Sequence, residues 1–147
     1  MKKIVAWIGC MLLMVSVVCA KDRVTRDENQ LPVGARDMIK TYFPGASVSY
    51  VKIDKNLFRT EGYDVRLSDG TELEFNSKGG WTEVSSGKSH AIPRTLVPEM
   101  IQGYMRKNYA DHRIMKIKHN RRGYELKLDN GLEVEFDNMG KFLRLDD

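Results

Sequence analysis

Two stretches of the sequence, YDVRLSDGTELEF at residues 63–75 and YELKLDNGLEVEF at residues 124–136, decide the fold. They share six identical residues out of thirteen without a gap. In each stretch, apolar and charged residues alternate on both sides of a glycine, which is typical of two antiparallel strands joined by a tight turn. The sequence therefore predicts the same hairpin twice in one chain.

The register of this hairpin follows from its apolar residues. A three-residue turn over residues 68–70, ending in a left-handed glycine, pairs Val65 with Leu73 and keeps one face of the hairpin apolar. A two-residue turn would instead put Leu67 opposite Glu72. The same count gives the same result in the second stretch. We therefore predict one apolar and one charged face in both hairpins.

A helical pattern precedes each hairpin. Residues 31–43 and 97–109 carry apolar side chains at helical spacing, with a proline near the first turn of each. Strands are predicted near residues 47–54, 60–67, 71–76 and 81–85, and again near residues 113–119, 122–128, 132–137 and 141–145. This order predicts an α+β fold of two tandem repeats, residues 31–90 and 91–147, each with one helix packed on a four-stranded antiparallel meander.

The first residues have the pattern of an export signal. Lys2 and Lys3 precede a long apolar run, and small residues stand near position 20, so residues 1–20 are predicted to be a cleaved signal peptide. An uncleaved membrane anchor and a lipoprotein signal at Cys19 are the alternatives. Residues 21–30 are polar without apolar periodicity and are predicted to be a flexible leader. No membrane span is expected after cleavage.

Composition excludes several classes of site. Both cysteines, Cys10 and Cys19, lie in the predicted signal peptide, so the exported chain has no thiol for a nucleophile, a zinc site or a disulfide. Cleavage also lowers the net charge from +4 to +2, and with export this argues against nucleic acid as a partner. His90, His112 and His119 lack metal-ligand spacing. No catalytic residue is predicted.

Charged residues occupy the other face of each hairpin. The predicted register puts Arg66 opposite Glu72, a complementary pair. It also puts Asp64 opposite Glu74, and like charges that face each other across two strands are mildly destabilising. The second hairpin repeats both kinds of pair.

The strand before each hairpin modifies this picture. If Ile117 faces Tyr124, Lys116 falls opposite Glu125, where its ammonium can bridge the carboxylates. The first repeat has Tyr50 at the position equivalent to Lys116. The acidic pair of the first repeat is therefore predicted to lack a local cation.

Several interpretations of the charged face remain open. It is a solvated surface, a Ca²⁺ site at Asp64 and Glu74, or a surface that binds a protein or peptide partner. Paired carboxylates are also found in glycosidases, although no cleft is evident around these. No cofactor other than Ca²⁺ is indicated. The residues predicted to contact a partner are Tyr50, Asp64, Arg66, Glu74, Lys116, Glu125, Lys127 and Glu135.

The repeated motif resembles a known family. Each copy has the pattern Tyr-x-[Val/Leu]-x-Leu-x-[Asp/Asn]-Gly-x-Glu-x-Glu-Phe after a proline and an amphipathic helix. Together with the export signal, this is similar to the PepSY-like, beta-lactamase-inhibitor-like proteins of the periplasm of Gram-negative bacteria. The resemblance covers residues 31–145. The motif is carried by Tyr63, Val65, Leu67, Asp69, Gly70, Glu72, Glu74 and Phe75, and by Tyr124, Leu126, Leu128, Asn130, Gly131, Glu133, Glu135 and Phe136.

The resemblance implies a periplasmic protein whose two sheets can join into one curved surface backed by the helices. It implies a non-enzymatic, inhibitor-like binding role, and some members of the family are described as calcium-regulated. A calcium-responsive protein using Asp64 and Glu74 is therefore the first alternative, and a hydrolase is the second. A shared fold does not by itself identify a partner.

Overall fold

The computed structural model describes residues 22–87 and 90–147. The predicted signal peptide lies outside these residues. These residues form two α-helices and nine strands, and a short 3₁₀ helix precedes each α-helix, at Glu28–Gln30 and at Arg94–Leu96. In chain order the elements are β1 (Arg23–Thr25), α1 (Val33–Tyr42), β2 (Val48–Lys55), β3 (Thr60–Leu67), β4 (Glu72–Asn76), β5 (Trp81–Ser85), α2 (Glu99–Asn108), β6 (Ile114–Asn120), β7 (Gly123–Leu128), β8 (Glu133–Asp137) and β9 (Phe142–Asp146).

All nine strands form one open antiparallel sheet in the order β1 to β9. The α+β class and the antiparallel meander are confirmed. Four strands follow each helix, and β5 pairs with β6, so the first half (α1 with β2 to β5) and the second half (α2 with β6 to β9) share a single sheet. The joining therefore occurs within one chain.

The predicted hairpin register is also confirmed. Val65 lies opposite Leu73 in the first half, and Leu126 lies opposite Val134 in the second. Gly70 adopts a φ of 90° in the turn, a conformation that glycine reaches without the steric cost of a Cβ. The turn thus fixes which side chains share a face.

The apolar face of the sheet carries the core. Phe75 and Phe136 are buried on this face, and Tyr63 packs against the same cluster. From α2, Tyr104 meets Phe136 edge to face at 5.3 Å and stacks on Phe142 at 5.0 Å between ring centroids. Each fully buried aliphatic or aromatic side chain contributes about 1.5–3 kcal/mol, so this face and its helices hold the molecule together.

The described part of the predicted leader, residues 22–30, is more ordered than expected. It contains β1, which pairs with β2 along its outer edge, and the first 3₁₀ helix, whose start is capped by the side chain of Asp27. The prediction failed because β1 covers a sheet edge rather than a core, and Val24 remains 64% exposed. Apolar periodicity cannot reveal such a strand.

Candidate functional site

One row of charged side chains crosses the sheet on the face that the helices do not cover. Each of the strands β2 to β9 contributes one residue, and each residue lies opposite the next one in the row. We call this the central row. Its members are Lys52, Asp64, Glu74, Glu83, Lys118, Glu125, Glu135 and Arg144.

A second row runs beside it, two residues away on each strand, and again takes one residue from each of β2 to β9. Its members are Tyr50, Arg66, Glu72, Ser85, Lys116, Lys127, Glu133 and Asp146. The central row carries a net charge of −2 and the second row is neutral. The two rows together are called the polar face.

The residues predicted to contact a partner all lie on this polar face. The central row contains Asp64, Glu74, Glu125 and Glu135. The second row contains the other four predicted residues, which are Tyr50, Arg66, Lys116 and Lys127. The structure thus brings the predicted set together, and its role in binding stays a prediction.

The predicted register between β6 and β7 is wrong by two residues. Lys118, and not Lys116, lies opposite Glu125, and Ile117 lies opposite Leu126. Both registers keep the apolar face intact, so the alternation could not choose between them. The turn between β6 and β7 selects the observed register. The side chain of Asn120 accepts a hydrogen bond from the backbone N–H of Arg122 at 2.7 Å, which closes the hairpin over Arg121 and Arg122.

The prediction that the first acidic pair lacks a cation is wrong for Asp64. Lys52 Nζ lies 3.4 Å from an oxygen of Asp64, 2.8 Å from one of Asp54 and 3.3 Å from one of Asp22. Hydrogen bonds to Asp54 and Asp22 raise the pKa of Lys52. Lys52 was missed because the predicted register between β2 and β3 is also wrong by two residues. Tyr50 lies opposite Arg66 and not opposite Asp64.

For Glu74 the same prediction agrees with the structure. Among the described residues, no base lies within ion-pair distance of its carboxylate, although Asp64 and Glu83 lie opposite it on the two neighbouring strands. Partial burial raises the pKa of Glu74, and the negative charges of Glu83 and Asp64 raise it further. Glu74 is exposed, so solvent screens part of this repulsion.

Glu83 is a member of the row that the sequence interpretation did not single out. It faces Lys118 across β5 and β6, where the two halves meet, and it forms an ion pair with Lys116. Only 18% of its side chain is exposed. The alternation of β5, in which Glu83 precedes the buried Val84, is the signal that could have identified it.

The remaining charges of the polar face are paired. Lys127 Nζ lies 2.9 Å from Glu133, and this contact lowers the pKa of Glu133. Arg144 binds the carboxylate of Glu135 and lowers its pKa in the same way. Lys118 lies 3.3 Å from Glu125, whose negative charge raises the pKa of the lysine.

An aromatic groove adjoins the central row where the halves meet. The pairing of β5 with β6 ends at Glu83 and Lys118, and beyond it lies a groove of about 610 Å³. Trp81 and His119 line this groove with ring centroids 5.4 Å apart. His119 also stacks on Tyr124 at 4.4 Å. The groove brings a flat apolar surface next to the charged row.

The other two histidines make local contacts. A nitrogen of the His90 ring lies 3.0 Å from the hydroxyl of Thr71, so the segment before α2 touches the first hairpin turn. His112 Nδ1 lies 3.0 Å from Asp129, and this hydrogen bond lowers the pKa of the carboxyl group. Neither histidine belongs to the polar face.

The candidate calcium site still consists of the two predicted ligands, Asp64 and Glu74. Within the described part of the chain, no group of three or more histidine, cysteine, aspartate or glutamate side chains is arranged to hold a metal ion. Asp64 and Glu74 face each other, but Lys52 already contacts Asp64. Since Ca²⁺ takes six to eight oxygen ligands, most would have to come from water or from a partner.

No helix in residues 22–87 and 90–147 has the length and apolar character needed to span a bilayer.

A protein-family model described as "Putative beta-lactamase-inhibitor-like, PepSY-like" matches residues 61–144. The chain belongs to the PepSY-like family. No curated protein shows a significant sequence match to it.

Three solved structures similar to this PepSY-like protein come from Bacteroides. A "putative periplasmic protein of unknown function" from Bacteroides vulgatus ATCC 8482 is 54% identical, with a TM-score of 0.80, covering 86% of this chain and all of its own. A "putative periplasmic protein" of the DUF2874 family from the same organism is 38% identical, with a TM-score of 0.78 and coverage of 87% and 98%. A "putative calcium-regulated periplasmic protein" from Bacteroides thetaiotaomicron is 31% identical, with a TM-score of 0.78 and coverage of 86% and 97%.

Proposed function

We propose that this PepSY-like protein is an exported, non-enzymatic periplasmic binding module whose polar face engages a protein or peptide partner. In this proposal a basic side chain of the partner lies against Glu74. The periplasmic location is supported by the relatives, which are described as "putative" periplasmic proteins, and by the export pattern of residues 1–20.

The charge pattern around Glu74 is the observation that carries the proposal. Every other acidic residue of the two rows has a base within 4.0 Å. Glu74 has none among the described residues, and it lies between two further carboxylates. An arginine or lysine from a partner would supply the missing charge, and Trp81 in the adjoining groove offers a flat ring that such a cation can also contact.

The extent of the polar face favours a macromolecular partner. Eight strands spaced about 4.8 Å apart give a row about 34 Å long. A row of this length fits one side of a standard protein interface, which buries about 800 Å² per partner. The alternating charges would fix the register of the partner more than they would add affinity.

We also infer that residues 31–90 and 91–147 are two copies of one unit. The α-helix and the following strand of the first copy begin at Val33 and Val48, and their counterparts begin 66 residues later. The 3₁₀ helices that precede the two α-helices are separated by the same interval. The copies differ along the polar face, because Tyr50 corresponds to Lys116. A symmetric binding scheme is therefore not expected.

Site-specific photocrosslinking in the native cell envelope tests the binding proposal. A benzoylphenylalanine replaces Tyr50 on the polar face in one variant and Met100, exposed on α2, in the other. We expect a discrete crosslinked partner from position 50, weakened by Glu74→Gln and unaffected by Asp37→Asn on α1. Equal crosslinking from both positions, or no effect of Glu74→Gln, would remove the polar face from the proposal.

The inhibitor-like part of the proposal rests on the family description and is tested separately. Purified mature protein is titrated against a periplasmic beta-lactamase while hydrolysis of a chromogenic substrate is followed. Saturable loss of rate that Glu74→Gln relieves would support inhibition through the polar face. An unchanged rate would rule out this target and leave the photocrosslinking test decisive for binding.

A calcium response is the second candidate function. It is favoured by the relative named as calcium-regulated and by the facing carboxylates of Asp64 and Glu74. Calorimetry with millimolar Ca²⁺ should show saturable heat that Asp64→Asn abolishes and that Asp37→Asn preserves. The absence of heat in the unmodified protein would dispose of this candidate.

A further inference from the structure

A groove of about 390 Å³ lies between α1 and the start of β2, on the face of the sheet that the helices cover. Its apolar walls include Leu31, Ile39 and Phe43, which are buried, and Val48. The volume lies within the range of about 300–1,000 Å³ that is typical of small-molecule sites. We call it the α1 groove. It shares no residue with the polar face, so it lies outside the surface proposed above.

Arg36 brings a polar group into these apolar walls. Its Nη1 donates to Asn29 Oδ1 at 3.2 Å, but its Nε is buried, and no acceptor among the described residues is within reach of that nitrogen. A buried donor without an acceptor is unfavourable, and a carboxylate is the acceptor whose shape matches a guanidinium. Lys40 adds a positive charge and Glu28 a negative one, which leaves the lining with a net charge of +1.

The second half contains the corresponding position, and there the groove is closed. Between α2 and β6 the remaining cavity is about 20 Å³. The backbone makes the same hydrogen-bonded turn at both places, since Ala46 N–H donates to Phe43 O and His112 N–H donates to Tyr109 O, each at 3.1 Å. The side chains differ, because the imidazole of His112 lines the second cavity where the first has only the methyl group of Ala46.

The polar side chains that line the two cavities also differ. Gln102 corresponds to Arg36, and its side-chain amide donates to Val97 O at 2.7 Å. The second half therefore fills its groove with its own side chains and satisfies its own donor. The first half keeps both an open groove and a buried donor without an acceptor. This contrast points to a ligand that only the first half accepts.

We propose that the α1 groove binds the anion of a medium-chain fatty acid, with its carboxylate on the guanidinium of Arg36 and its alkyl chain along Leu31, Ile39 and Phe43. An alkyl chain suits these walls better than a peptide does, because each peptide unit needs hydrogen-bond partners. The lining offers few beyond the charged residues and Ser47. The net positive charge of the lining favours an anion over a neutral lipid.

Titration calorimetry of the mature protein with decanoate tests this site. Decan-1-ol serves as the probe without charge, and acetate as the probe without chain. We expect saturable binding of one decanoate per chain and a higher melting temperature when it is bound. Acetate should not bind, and decan-1-ol should bind at least tenfold more weakly. Heat without saturation, or more than one decanoate per chain, would overturn the proposal.

Three variants locate the site. Ala46→His transfers the side chain that closes the second cavity and should abolish decanoate binding. Arg36→Gln should weaken decanoate at least tenfold and leave decan-1-ol unchanged. Arg106→Gln makes the same charge change on α2 and should have no effect. If circular dichroism shows that Ala46→His is misfolded, Arg36→Gln alone decides. Unchanged binding in Arg36→Gln, or in a folded Ala46→His, contradicts the assignment.

Discussion

Glu74 is the side chain of the polar face at which both the electrostatic repulsion and the proposed contact with a partner occur. Partial burial raises its pKa, and the negative charges of Glu83 and Asp64, its neighbours on either side, raise it further. A raised pKa means that the folded state holds the proton more tightly than the unfolded state does. Above the folded-state pKa, the charged carboxylate therefore lowers the free energy of unfolding. This loss of stability disappears as the pH falls towards the pKa of the unfolded state.

Glu74→Gln should stabilise the protein at pH 7. The gain is expected to be a few tenths of a kcal/mol, because solvent screens an exposed carboxylate. It should vanish below the usual glutamate pKa of 4.5. Urea unfolding at several pH values measures this, with Glu72→Gln as the control, since Glu72 accepts an ion pair from Arg66 at 3.1 Å. A loss of stability in Glu74→Gln at pH 7 would contradict the electrostatic account.

Gly123 is a position at which the backbone alone dictates the residue. Its φ is +146°, and an added Cβ would clash with the carbonyl oxygen of Phe136. Gly123→Ala should therefore lower the free energy of unfolding by about 3 kcal/mol. Gly103→Ala, in the middle of α2 with nothing near the added methyl, should instead raise it by about 0.5–1 kcal/mol. Equal effects of the two substitutions in chemical denaturation would be inconsistent with the geometry.

At the scale of elements, the β3–β4 and β7–β8 hairpins were predictable, and the registers of β2 on β3 and of β6 on β7 were not. Parity of the apolar residues placed β3 against β4 and β7 against β8, because a one-residue slip would expose the core. A two-residue slip preserves parity, so the partner of Lys116 was predicted wrongly. The α1 groove was not predictable either, since it depends on how a helix and a strand approach, and on Ala46 having a shorter side chain than His112.

The turn between β6 and β7 should depend on Asn120. Its side chain accepts a hydrogen bond from Arg122 N–H at 2.7 Å. Asn120→Ala removes this bond and should lower the free energy of unfolding by about 1 kcal/mol. Arg121→Ala removes only an exposed side chain and serves as the control. If thermal unfolding shows Asn120→Ala to be as stable as this control, the turn does not set the register.

At the scale of the whole molecule, the contact between β5 and β6 makes one sheet out of two similar halves. Val84 and Ile117 face each other there, and both are fully buried. The N–H and the hydroxyl of Ser86 both donate to Met115 O, at 2.9 and 3.0 Å. The sequence could not predict this pairing, because no short turn links the two strands and either could equally have paired with an outside chain.

A joined sheet should unfold as one unit. Trp81, close to the contact between the halves, reports tertiary structure by fluorescence, while circular dichroism reports both halves together. The two signals should give coincident urea transitions. Ile117→Ala should lower the free energy of unfolding by about 2–5 kcal/mol and keep the transitions coincident. Two separate transitions would show that the halves fold independently.

The continuity of the polar face across β5 and β6 is the claim on which the binding proposal depends. Native-state hydrogen exchange followed by NMR tests it most directly, at the paired residues 83–85 and 116–118. We expect the hydrogen-bonded amides there to exchange only through global unfolding, with the same protection as Leu126 in the interior of the second half. Exchange there at much lower protection, with the hairpins still protected, would mean that the two halves open apart and that no single polar face exists.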